Sequence, residues 1–213
     1  MDMELARMGI VYVHLIACCV ALGVVFMSDI GMMKRLLDPD STEKLHPQHF
    51  HDLHKTVSRA LWALWITGAG LVALDMTLKG ASVLANPKLQ AKIAIVCLLT
   101  INGVALARYV MPRLQRVGCL MGLSFSDRML AAFIGCVSGV SWFYAAMLGV
   151  GRPLNFKYSI LQIMAAYPVL IGGGFVMMVF LTAWAQYKTS GLARAYEPTR
   201  VGTYSFDGRL QPG

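Results

Sequence analysis

Residues 8–27 read MGIVYVHLIACCVALGVVFM, a run with no Asp, Glu, Lys or Arg and a single histidine, His14. A bilayer hydrocarbon core about 30 Å thick is crossed by about 20 apolar residues rising 1.5 Å each. This run has that length. The residues before it, Met1-Asp-Met-Glu-Leu-Ala-Arg7, hold two acids and one base. A cleavable leader has a basic start and a shorter apolar stretch. The segment therefore predicts a retained first spanning helix, leaving the apolar region at Ser28, Asp29, Lys34 and Arg35.

Four further runs follow, at about 60–78, 89–111, 129–150 and 160–187, the last with Pro168 inside it. A proline within a helix removes one hydrogen bond and predicts a kink. The expected fold is all-α: a polytopic bundle of about five transmembrane helices over residues 1–187, then a polar tail over 188–213. Composition agrees. The chain is 57% hydrophobic and 14% charged, against about 25% charged for soluble domains. Its net charge of +8 does not point to nucleic acid, because the bases sit between apolar runs. Anionic lipid and insertion polarity account for them there.

Most of the 19 bases fall in three stretches: 34–59, 108–128 and 188–209. Five spans put these on one side. The positive-inside rule then predicts N-terminus outside and C-terminus in the cytoplasm. Pro47 suits a first helical position, so the second helix is expected to begin near it, at the inner interface. The cysteines form no C-x-x-C pair and imply no disulfide framework.

Ionisable residues inside a bilayer are costly and mark candidate sites. Depth sorts them into two layers. His14, Asp75 and Lys92 belong to the outer one, where an imidazole beside an acid and an amine can hold heme iron, a proton or a metal. Lys92 also has the reach to snorkel to the headgroups. Asp29 and Arg108 belong to the inner layer and predict a structural ion pair between the first and third helices. His46, His49, His51 and His54 form the densest cluster. Their i, i+3 spacing can offer two imidazoles on one helix face to copper or another transition metal. His14 and His54 cannot share one heme. His14 lies about 20 Å from the inner edge of its helix, and His54 precedes the second apolar run on that inner side. Gly135-x-x-x-Gly139 and Gly172-Gly173-Gly174 predict close helix packing, within the chain, in a homo-oligomer or against other proteins of a membrane complex.

The segment Val13-His-Leu-Ile-Ala-Cys-Cys-Val-Ala-Leu-Gly23 resembles the first helix of the copper-resistance D and HemJ-like membrane proteins, a histidine with a glycine further along. Leu89-Gln-Ala-Lys-Ile-Ala-Ile-Val96 is similar to the opening of the HemJ-type third helix, and Arg59 with Gly68 fits the second. The resemblance spans residues 1–112. It implies a heme- or metal-associated bundle, with heme b as the candidate cofactor, His14 as the candidate ligand and Lys92 beside it. HemJ-type proteins are protoporphyrinogen oxidases. Here Gln90 stands where that family has histidine, Asn102 is mid-helix, and the last two helices differ, so that activity is not carried over. The leading expectation is a redox-related membrane protein with a heme or metal site near the outer face. The alternatives are a non-catalytic subunit or assembly factor of a membrane complex, and a transporter of small solutes or metal ions, against which stands the lack of an inverted repeat.

Overall fold

Inside a bilayer every backbone N–H and C=O must find a partner within its own segment, so an apolar run becomes a helix. The computed structural model of the chain describes residues 2–37, 47–118, 120, 122–154 and 156–195, with side chains for all of these except 2, 35–37, 47–51, 152 and 189–195. The helices are α1 (Asp2–Leu37), α2 (Pro47–Lys79), α3 (Pro87–Ala105), α4 (Met111–Val117), α5 (Phe125–Val150) and α6 (Ile160–Ala195). A π-helical turn, Leu106–Val110, joins α3 to α4. No strand occurs among the described residues. Five helical stretches are long and apolar enough to cross a membrane, α3 and α4 together making one of them. The chain is a multi-pass α-helical membrane protein.

The helices outrun the apolar segments. α1 and α6 have 36 residues each, about 54 Å at 1.5 Å per residue. Once a helix exists, each added residue gains a hydrogen bond, and neither polar extension contains proline. The first residues of the expected tail, 188–195, are therefore helical, while 196–213 lie outside the described residues. α2 starts at Pro47 as its sequence implies, and Pro168 sits inside α6 without ending it.

α1 and α2 pack antiparallel in a clear register. Arg7 meets Asp75, Ile10 meets Gly70 and His14 meets Thr67. Further along, Ala17, Ala21 and Val25 pack with Ala60 and Leu64. These α1 positions recur at three- and four-residue steps, one face of the helix. Alanines there let the two backbones come close.

The second core belongs to α3, α5 and α6. Asn86 caps α3 by accepting from the Lys88 N–H, and Pro87 takes the first helical position, where its missing donor costs nothing. Ala91 and Ile95 then pack against Tyr144, Leu148, Ile163 and Tyr167. Polar groups buried here are partnered. Asn102 donates to the Ile134 carbonyl at 3.0 Å, Ser141 and Tyr167 share a hydroxyl contact at 2.8 Å, and Tyr144 donates to the Ile163 carbonyl. The π turn has a local cause: Pro112 brings no N–H and its ring crowds the carbonyl four residues back, that of Arg108.

The far end of α5 is pinned by charge. Ser124 caps the helix at Asp127, and Arg113 reaches the same carboxylate at 3.2 Å. Arg128, counted from sequence among the bases of a loop, is instead buried. With the Gln186 amide turned to present its oxygen, Arg128 donates to it at 2.7 and 2.9 Å, linking α5 to α6.

Candidate functional site

His14 is held by a two-step relay. The Thr67 hydroxyl lies 2.6 Å from the Ala63 carbonyl and 2.7 Å from His14 Nδ1. A hydroxyl has one proton. With that proton given to Ala63, the oxygen accepts from Nδ1–H, and Nε2 is left with a free lone pair. Metal-ligating histidines have this arrangement, one ring nitrogen fixed by a hydrogen bond and the other presented outward. The ring lies against Gly68, His14 Cε1 being 3.7 Å from where a Cβ at that glycine would sit.

Lys92 belongs to the same neighbourhood. It lies within electrostatic range of His14 and Cys18, and its Nζ is 4.0 Å from the Cβ position of Gly149 on α5. Asp75, grouped with these two by depth, lies elsewhere. It accepts from Arg7 Nε at 3.0 Å and has Lys79 Nζ at 3.5 Å. It also stands eight residues beyond Thr67, about 12 Å along α2. Asp75 thus ties the ends of α1 and α2. For a partly exposed ion pair of this kind, Asp75→Asn is expected to lower stability by no more than about 1 kcal/mol. Any absorption band that depends on His14 should be unchanged in that variant. Detergent unfolding followed by circular dichroism, with a visible spectrum, checks both.

The end of the bundle that holds Asp29 and Arg108 is organised around space rather than contact. A cavity of about 870 Å³ opens between α1 and α2 on one side and α3, α5 and α6 on the other. Asp29, His54 and Arg108 all line it. The expected Asp29–Arg108 ion pair does not form: among the described residues the ion pairs of this end join other groups. Equal depth did not bring the two together because they stand on different walls. Asp29 Oδ2 lies 3.5 Å from the Cβ position of Gly139 on α5, while Arg108 is carried by the π turn.

The glycines separate in the same way. Gly135 has nothing within 4 Å of its Cβ position and faces the cavity, whereas Gly139 of the same G-x-x-x-G pattern has the Asp29 carboxylate of α1 against it. Gly174 does pack, against Cys136 Sγ at 3.8 Å, whereas Gly172 and Gly173 meet nothing within 4 Å.

Of the histidine cluster, His46 and the side chains of His49 and His51 lie outside the described residues. His54 is 13 residues before Thr67 on one helix, about 20 Å from the His14 contact, as the exclusion of a shared heme requires. No group of three His, Cys, Asp or Glu side chains that could hold a metal ion occurs among the described residues. Thr67 and Arg7 carry no site signal in the sequence. Once His14 is set opposite Thr67, antiparallel counting places Arg7 near Asp75.

Comparison with protein-family models, with curated proteins and with solved structures finds no match.

Proposed function

We propose that this protein is a redox-related membrane protein that carries heme b at His14, near the outer face of a bacterial-type inner membrane. The observation behind this reading is the Thr67 contact, which holds His14 Nδ1 and turns Nε2 away from it; with the Thr67 proton given to Ala63, Nε2 is the ring nitrogen free to bind. A bare copper or zinc centre asks for three or four protein ligands. A porphyrin brings four nitrogens of its own and needs one or two axial ligands from the chain. A single well-oriented imidazole beside the small residue Gly68 fits the second demand better. When bound, heme supplies one-electron chemistry. The chain's part is to hold the imidazole, keep Nδ1 protonated through Thr67 and place the Lys92 ammonium near the ring. The skew of basic residues supports the orientation with the N-terminus outside.

A visible spectrum of protein purified from heme-replete cells is the direct test. A Soret band is expected. It should vanish in His14→Ala, weaken or shift in Thr67→Val, and return in Thr67→Ser, which restores the hydroxyl. A colourless wild-type preparation, or a band indifferent to His14→Ala, defeats the reading.

A docking subunit of a membrane complex is the second reading. It is favoured by the open faces at Gly172 and Gly173 and the exposed Val169, Val176 and Phe180 on the same helix.

A further inference from the structure

The inner cavity is not used by the His14 site. Asp29 is 15 residues from His14 along α1, about 22 Å. The walls nearby are mostly apolar, with Trp62, Trp65 and Trp142 among them. Trp65 Nε1 donates to Thr100 Oγ1 at 3.1 Å, bridging α2 to α3. Apart from that bridge the two helices make little contact. Trp62 on α2 and Val104 on α3 are 69% and 52% exposed and still line the cavity, so it opens sideways, toward the lipid.

The ionisable groups on its walls are few. The side chains of Asp29, His54 and Arg108 make no hydrogen bond or ion pair with another described residue. Asp29 and Arg108 are exposed and His54 is partly so, which leaves their polar atoms open to a ligand. Their types are complementary. A carboxylate only accepts, a guanidinium only donates, and an imidazole does either. A cavity of 300–1,000 Å³ with apolar walls and a few convergent polar groups is the usual form of a small-molecule site.

The geometry points to a binding site for a neutral, membrane-dissolved ring compound of the quinone and hydroquinone class, entering between α2 and α3 with its ring oxygens toward Asp29, His54 and Arg108. A hydroquinone hydroxyl donates to Asp29. A quinone carbonyl accepts from Arg108 or His54. The tryptophans offer flat apolar faces to the ring. Lateral opening suits a ligand that partitions into lipid, and opposite charges among the polar groups suit a head without net charge. Gly135 keeps the space open. The site stands on the cavity alone and does not need iron at His14.

The test is a titration of the full-length protein in detergent micelles with decylubiquinone, following tryptophan fluorescence. Gly135→Leu supplies the baseline. It keeps all four tryptophans and the same micelle partitioning, and its new side chain enters open space. Wild type is expected to show a saturable quench above that baseline. In Asp29→Asn, titrated with the reduced decyl-hydroquinone, the midpoint should rise at least about ten-fold, the effect of weakening one charge-assisted hydrogen bond. Circular dichroism establishes that both variants are folded. Superimposable curves for wild type and Gly135→Leu overturn the site. An unchanged midpoint in Asp29→Asn overturns the placement of the head. If palmitate displaces the quinone with an equal midpoint, the occupant is an acyl chain and the ring assignment fails.

Discussion

Ile95→Ala is expected to destabilise the bundle by about 2–3 kcal/mol, while Ile93→Ala two residues away changes it little. Ile95 is 0% exposed at the centre of the α3–α5–α6 core, and Ile93 is 42% exposed on the outer side of the same helix. In water, truncation of a buried isoleucine costs about 2–5 kcal/mol, part transfer and part cavity. In a bilayer the transfer part shrinks, because lipid tails are as apolar as the core. Lost dispersion contacts and the cavity remain. That places the cost near the lower end of the range. Reversible unfolding in mixed micelles reads the difference between the two variants. Equal losses would mean that α3 does not present residue 95 to α5 and α6.

Ala21→Leu should be at least as damaging, through the opposite mechanism. Ala21 is 0% exposed within the α1–α2 contact, in one cluster with Ala17, Ala60 and Leu64. Overpacking of a filled core costs about 1–3 kcal/mol. Here the strain has an outlet, since α1 and α2 can separate. Separation also breaks the Arg7–Asp75 and His14–Thr67 contacts, which depend on the same register. A cysteine pair made by Ile10→Cys and Gly70→Cys reports on it, because the Ile10 side chain lies 3.8 Å from the Gly70 Cβ position. With the native cysteines replaced, oxidative cross-linking is expected to be efficient. Adding Ala21→Leu should reduce it several-fold. Cross-linking that persists unchanged would show that the α1–α2 contact absorbs the larger side chain.

The number of helices and the start of α2 could be read from sequence because lipid imposes a length and proline a position. What could not be read is rotation about each helix axis. Depth put Asp75 with His14 and Asp29 with Arg108, yet Asp75 turns to Arg7 and Asp29 to the α5 glycines. Small residues at four-residue spacing carry the same ambiguity. Gly135 and Gly139 have the pattern of a helix contact, but only packing decides whether the bare face meets a neighbour or an opening. The ends of α1 and α6 lie beyond their apolar segments for another reason: hydropathy marks where lipid stops, and the helical hydrogen-bond ladder continues past it. His14 was singled out by its rarity in an apolar run. Its orienting partner, an ordinary threonine, carried no such signal.

The two halves of the bundle also differ in when they can be completed during synthesis. α2 packs chiefly on α1, so that hairpin can close as soon as residue 79 has left the ribosome. α3 has no such local partner. The carbonyl that satisfies Asn102 belongs to Ile134 of α5, which is made later. Until α5 arrives, the Asn102 amide lacks that carbonyl in an apolar setting. Biogenesis therefore has a waiting step built into its order, with an early hairpin that stands by itself and a third span that depends on the insertion machinery until the fourth is in place.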